Sequence, residues 1–358
     1  MSESPVPGAA VSRPEQSDPV SVVFRLVWGY TTSAITHTAF ELGLPDLLES
    51  GPRSADDLAE ETGAHRPSLH RLLRTMAALG ITQETENGDF VLTEAGALLQ
   101  SKGSGSMDAM ARLFVHESMW RPWQGLTESV RTGEPVFESQ FGMDYWAYMK
   151  QHPEVSRLFN AAMGDASQAV GTAVAAAYDL TRFRTVVDVG GGNGTLLSAM
   201  LQATPGLRGI VFDSASGVAQ TKDHLMAAGV SDRCEARAGN FLEALPEGGD
   251  LYVFKSVIHD WDDERATAIL RNCRQVLPDE GRLLIVEPVI PEAVTVSPAD
   301  PFPYLNDLNM MVSLRGKERT QPEYEALLDA AHLRLSSVQQ VPGPERVFLI
   351  EAVPVPQS

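Results

Sequence analysis

The sequence predicts an α/β protein: a mostly parallel, seven-stranded Rossmann-like sheet, preceded by a mainly α-helical region with a winged-helix outline. Three observations predict it. After Leu180, strand-like and helix-like segments alternate to the end of the chain, and the strand segments are near-continuous Val/Ile/Leu runs, as strands covered on both faces require. A glycine-rich turn, DVGGGNG, follows the first of those strands. Before Gly105, apolar residues recur at helical spacing and are interrupted by one short hairpin signal.

In chain order, residues 1–19 read as a disordered tail, without the basic start and apolar stretch of a secretory signal. Residues 20–105 form the first region. VSVVFRLVWGYTTSAITHTAFELGL is a helical pattern, and Ser54 with Asp57 starts a second helix through a capping-box arrangement. Gly63 closes that helix and Pro67-Ser68 open the next. ITQETENGDFVLT then reads as two strands around Asn87-Gly88. The helix before the hairpin carries Arg66, Arg71 and Arg74, which allows a DNA-reading role. Its Leu69, Leu72, Leu73, Met76 and Leu79 instead form a broad apolar face suited to a core or a dimer interface.

Residues 106–180 read as helices rich in Trp, Tyr, Phe and Met, suited to a core or to an apolar ligand pocket. Residues 181–358 supply seven strands: TVVDVG, RGIVFD, CEARAGN, DLYVFKSVI, GRLLIVEP, and a closing pair, SSVQQV and RVFLIEAV.

Composition narrows the function. A formal net charge of −19 argues against a nucleic-acid partner, because phosphate binding is driven by Lys and Arg, and against an anionic membrane surface. No apolar run approaches the ~20 residues of a membrane span. Two cysteines, Cys234 and Cys273, in no metal-like spacing, point to a reducing cytoplasm.

In such sheets ligands bind beyond the carboxyl ends of the strands, so the strand ends are the places to look for chemistry. The first ends in Asp188, Gly190, Gly191, Gly192, Asn193 and Gly194, where glycine permits a tight turn and a close approach of backbone N–H groups to a ligand. The second ends in Asp213, placed to accept both hydroxyls of a ribose. The spacing G-x-G-x-G, rather than G-x-G-x-x-G, favours S-adenosylmethionine over a nicotinamide. The third ends in Asn240-Phe241, one residue for the edge of an adenine and one for its face. The fourth and fifth end in KSVIHDWDDE and IVEP, which brings His259 and Glu287 to the same crevice. Asp260, Asp262 and Asp263 also suit the start of a helix, but capping does not account for His259.

DVGGGNG, VFD, GNF, KSVIHDWDDE, IVEP and RGKERT, in this order, resemble the class I S-adenosylmethionine-dependent O-methyltransferases of the caffeic acid/acetylserotonin type, in their bacterial natural-product tailoring branch. The resemblance runs from about residue 20 to the C-terminus. It implies that the first region is a dimerisation domain, that the chain is a cytoplasmic homodimer, and that it methylates a phenolic hydroxyl of a small aromatic molecule without a metal. It makes His259 the general base, with Glu287 and Glu318 flanking and orienting it. Asp188, Gly190, Gly192, Asp213, Asn240, Phe241 and Lys255 would hold S-adenosylmethionine, leaving S-adenosylhomocysteine as product. Phe159, Asn160, Met163, Asp307 and Met310 would surround the acceptor.

Three positions depart from the family pattern. Asn240 replaces an Asp, Ser-Ala follows Asp213 in place of Leu-Pro, and Arg315 stands where a glycine is usual. They leave open a relative that binds the same cofactor for non-methylating chemistry of hydroxylase, decarboxylase or cyclase type. A winged-helix DNA-binding regulator is the further alternative.

Overall fold

A computed structural model of the chain describes residues 18–103, 105–294, 301–342 and 347–356, without the side chains of 165 and 166. Most of the expected tail, and Arg346 at the start of the expected last strand, lie outside the described residues. The chain divides into two compact units, Met1–Ala97 and Leu98–Ser358.

In the first unit, Asp18 caps the helix Pro19–Glu41 by accepting the N–H of Ser21. Ser54 caps Ala55–Thr62 through the N–H of Asp57, and Gly63 ends that helix in the left-handed region at φ 69°. Arg66–Ala78 follows, then β1 (Thr82–Glu84) and β2 (Phe90–Leu92), an antiparallel pair with Gly88 at φ 83° in the loop. Leu69, Leu73 and Met76 are buried with Leu58 and Phe90, whereas Leu79 is exposed. Arg66 is ion-paired to Asp56.

The second unit holds a seven-stranded sheet. Its strands are β3 (Thr185–Val189), β4 (Arg208–Asp213), β5 (Cys234–Ala238), β6 (Leu251–Lys255), β7 (Arg282–Glu287), β8 (Leu333–Gln340) and β9 (Phe348–Pro354). They lie in the order β5-β4-β3-β6-β7-β9-β8. The first five are parallel, and β9 and β8 close the sheet antiparallel. Alternate residues feed two cores. Val187, Phe254 and Ile285 pack with the helices Asp263–Val276 and Gln321–Ala330. Val186, Val253 and Leu284 pack with Pro153–Ala177 and Thr195–Ala203. Both faces are covered over β3, β4, β6, β7 and β9, which is why these strands read as apolar runs, whereas the edge strands β5 and β8 are largely exposed. β8 begins at Leu333, ahead of the polar stretch that suggests it, because His332 turns the chain at φ 57° and Leu333 is buried. Strand order reverses around β3, whose neighbours are β4 and β6, so the crevice expected at such a switch point opens over the glycine turn.

Candidate active site

A cavity of about 520 Å³ lies at the carboxyl ends of β3, β4, β5 and β6. Asp188, Gly190, Gly192, Asp213, Asn240, Phe241 and Lys255 all line it, and so do Phe159, Asn160 and Met163. Gly190 and Gly192 have φ of 72° and 52°. Asp213 ties the turn to β4: its Oδ2 accepts the N–H of Gly192 at 2.9 Å and its Oδ1 that of Ser214 at 2.6 Å. A carboxylate has about four lone-pair sites, so acceptor capacity remains. Asn240 is partly engaged as well, accepting the N–H of Leu242 and donating to Glu243 Oε1 at 3.0 Å. Phe241 and Trp261 meet edge to face on the wall, their centroids 6.0 Å apart.

Residues 156, 160, 163, 164 and 167 line the cavity from one stripe of the helix Pro153–Ala177. Ser156, Gly164 and Ser167 were legible in principle, being one helical turn from Asn160 and Met163. Trp146, Met149 and Asp260 also line the wall; the first two belong to the aromatic- and Met-rich region suited to a core or a pocket, and Asp260 reads from the sequence only as a helix-start acid.

His259 sits in a single 3₁₀ turn, Ile258–Asp260, after β6. It is 8% exposed, among neighbours (Ser256, Val257, Asp260 and Trp261) that line the cavity. Its Nδ1 lies 2.9 Å from Glu318 Oε1. A carboxylate only accepts, so Nδ1 carries the proton in that bond. The Nε2 atom is 3.6 Å from Asp260 Oδ1, beyond hydrogen-bond reach.

The two glutamates have different tasks. Glu318 alone binds the imidazole; its Oε1 also accepts from Asn306 Nδ2 at 2.6 Å, and its N–H donates to Asp307 Oδ1 at 2.9 Å. Glu287 does not reach the ring. Its Oε1 accepts the N–H groups of Val257 and Ile258 at 2.8 and 2.6 Å, and Tyr324 Oη donates to its Oε2 at 2.6 Å. Asp307 is thus seen as a prop of Glu318. Neither it nor Met310, which is buried, belongs to the cavity wall among the described residues.

Electrostatics follow from this geometry. Burial alone would push His259 down, but the charge and hydrogen bond of Glu318, then Glu287 and Asp260, raise it to about 10. Burial first, with Asp213 adding repulsion, raises Asp188 to about 7. Burial likewise raises Asp260 to about 7, against the opposing charge of His259. Among the described residues, no group of three or more His, Cys, Asp or Glu side chains is placed to hold a metal ion, and no helix is long and apolar enough to cross a membrane.

A Rossmann-like sheet with a glycine turn after its first strand, an acid at the next strand end, and a buried histidine beside that turn is the frame of a class I methyltransferase. The family model of an O-methyltransferase domain matches residues 123–334, and that of an O-methyltransferase dimerisation domain matches residues 24–102. The chain belongs to the S-adenosylmethionine-dependent O-methyltransferases. It is 41% identical to O-demethylpuromycin-O-methyltransferase of Streptomyces alboniger, over 93% of this chain and 89% of that one. It is 40% identical to a phenazine O-methyltransferase of Lysobacter antibioticus, over 94% and 96%. A crystal structure of an O-methyltransferase from neocarzinostatin biosynthesis, in complex with S-adenosylmethionine and 2-hydroxy-5-methyl naphthoic acid, aligns with a TM-score of 0.77. That pair is 31% identical over 90% of this chain and 96% of the other.

The residues present fit S-adenosylmethionine. Asp188 Oδ2 is buried without a hydrogen-bond partner, a poor arrangement unless a donor or cation faces it. Asp188, Asp213 and Asp260 give the cavity an acidic wall suited to a sulfonium and an ammonium. The glycine turn leaves backbone exposed where side chains would intrude.

Proposed function

We propose that the chain methylates a phenolic hydroxyl of a small aromatic molecule, with His259 as general base. The observation that carries this is the His259–Glu318 pair, at 2.9 Å and buried, just behind the cavity wall that Ser256, Val257, Asp260 and Trp261 line on either side of His259 in the chain. S-adenosylmethionine, when bound, supplies the electrophilic methyl. A phenol has a pKa near 10, so only about one molecule in a thousand is ionised at pH 7. The neutral oxygen is a weak nucleophile, and a base that takes its proton during attack contributes roughly 10²–10⁴-fold.

Raised to about 10, His259 carries a proton at neutral pH and must shed it before it can accept one. Positive charge brought into the cavity works in that direction, by like-charge repulsion of the imidazolium. Glu318 fixes the ring by its Nδ1–H and stabilises the imidazolium that forms, which leaves Nε2 for the acceptor. Asp188, Gly190, Gly192, Asp213, Asn240, Phe241 and Lys255 hold the cofactor. Phe159, Asn160 and Met163 pack against the aromatic acceptor, a reading supported by the naphthoic acid of the neocarzinostatin relative.

The first unit makes the homodimer. Val20, Phe24, Leu26, Val27, Trp28 and Tyr30 of the helix Pro19–Glu41 are exposed, an apolar patch that a second copy would cover.

The test is incubation with methyl-deuterated S-adenosylmethionine and a panel of phenols, catechols and hydroxylated polyaromatics, read by mass spectrometry. Wild type yields labelled product. His259→Ala loses roughly 10²–10⁴-fold in kcat while cofactor binding persists. Turnover near wild type in that variant would remove His259 from the role of base.

A further inference from the structure

The turn that carries His259 is too short to hold its own shape, and only part of its support is explained by the two glutamates. Glu287 fixes its N–H side. The carbonyl side belongs to Arg319. Its guanidinium is 0% exposed, and Nη1 donates to Ile258 O at 3.0 Å while Nη2 donates to Trp261 O at 2.7 Å. Those two carbonyls bracket His259. Nε and Nη2 also reach Asp263 Oδ1 at 3.1 and 2.9 Å, which sets the start of the following helix. A buried guanidinium is tolerated when its donors are used, and here all three nitrogens are engaged.

The base from which this side chain reaches is rigid. Arg319 O accepts the N–H of Ile290 at 3.1 Å. Thr320 and Glu323 form a capping box immediately after it. Lys317 Nζ bonds Glu323 Oε1 at 2.8 Å and approaches Asp263 Oδ2 at 3.3 Å. Gly316 lies so close that a Cβ there would overlap the carbonyl oxygen of His259. Glu318, the ring's partner, is the residue before Arg319, so one rigid segment grips both the ring and the peptides that aim it.

We propose that Arg319 is a positioning residue for methyl transfer: by holding the Ile258 and Trp261 carbonyls it keeps His259 in register with Glu318 and with the acceptor. The inference rests on His259 being the base. Among the charged and titratable groups around the guanidinium are Asp263 from the following helix, which also meets Lys317 Nζ, and Tyr324 from the helix Gln321–Ala330, with Glu318 next to it in its own segment. A lysine there keeps the charge but lacks the planar fork needed for both carbonyls and Asp263.

Arg319→Lys and Arg319→Met are compared with His259→Ala for kcat, acceptor KM, cofactor dissociation constant and the pH dependence of kcat. Misplacing a catalytic group by about 1 Å can cost ~10²-fold, so kcat falls about tenfold with lysine and about a hundredfold with methionine. Acceptor KM and cofactor affinity stay within about twofold of wild type, and the acidic limb of the kcat profile moves to lower pH as Glu318 loosens its hold on Nδ1. If the methionine variant does not fold, the lysine variant carries the test. An inactive His259→Ala beside a lysine variant with wild-type kcat and wild-type limb, whatever its Tm, overturns the role of Arg319 alone. An active His259→Ala overturns the reading of His259 instead.

Discussion

The turn after β3 and the turn after β6 are both short connections at the carboxyl end of the sheet, yet they are held in opposite ways. The first is made by local backbone: glycines in the left-handed region and one carboxylate, Asp213, at the end of the adjacent strand. The second contains no glycine and is gripped from a distance by buried side chains, Glu287, Glu318 and Arg319, lying 28 to 61 residues away. The difference follows from the tasks. A cofactor cradle needs exposed N–H groups and empty space, which glycine supplies. A base needs a fixed direction and a tuned charge, which only ionised neighbours supply.

The two turns come close at Gly190 and Val257, and that is where the comparison breaks most readily. A Cβ on Gly190 would lie 2.6 Å from Val257 Cγ2, at the entry to the histidine turn, whereas one on Gly192 would meet nothing within 4 Å. Both positions have positive φ, so alanine at either is strained by roughly 1–2 kcal/mol. Gly190→Ala should therefore weaken cofactor binding and also lower kcat, each by about tenfold or more, since it displaces both turns. Gly192→Ala should weaken cofactor binding and leave kcat at saturating cofactor near wild type. Calorimetry of cofactor binding with saturation kinetics separates them; equal kcat losses would mean the turns do not communicate through Val257.

Glu318→Gln tests how the second turn tunes its histidine. The amide oxygen can still accept from Nδ1–H, but the negative charge is gone, so the pKa of His259 falls from about 10 toward its ordinary 6.5. The acidic limb of kcat/KM then moves to lower pH, while plateau kcat falls about tenfold because the imidazolium formed during attack is less stabilised. The linkage has the matching sign. His259 is raised in the folded state, so the stability its protonation adds is present in full below pH 6.5 and is lost as pH rises through about 10. The stability gap between wild type and Glu318→Gln should narrow over that window. A gap that is flat with pH would mean that Glu318 does not hold the proton on His259.

What could be read from the chain divides along the same line. The strands, their ends, the glycine turn, Asp213 and His259 were legible because each is encoded within a few residues: an apolar run, then a glycine, acid or histidine where the run stops. The partners of the histidine turn were only partly legible. Glu287 stands out as the acid that ends an apolar run and Glu318 enters only through the resemblance, but which oxygen meets ring and which meets backbone depends on how β7 and the segment after the helix Phe302–Ser313 converge. For the same reason the resemblance alone puts Asp307 near the acceptor, and the sequence does not show that it accepts the N–H of Glu318. Arg319 stands only within the motif RGKERT and Tyr324 only within a helical stretch, and neither setting tells what the side chain meets. Nothing short of the packed structure shows a guanidinium with no exposed area.

Tyr324 gives the smallest effect and the cleanest division between stability and chemistry. Its hydroxyl donates to Glu287 Oε2 at 2.6 Å in a fully buried site, while Glu287 Oε1 holds the turn. Tyr324→Phe removes that donor without changing the shape of the core and leaves one carboxylate oxygen without its hydroxyl donor. Losing a hydrogen bond to a buried charged group costs about 1.5–3 kcal/mol, which denaturant unfolding would read directly. The turn keeps its N–H bonds to Oε1, so kcat should fall by no more than about threefold, because the ring is aimed by Glu318 rather than by Glu287. A loss in kcat as large as that of Glu318→Gln, with stability unchanged, would show that Glu287 aims the imidazole as well as adding its charge, and would erase the distinction between the two glutamates.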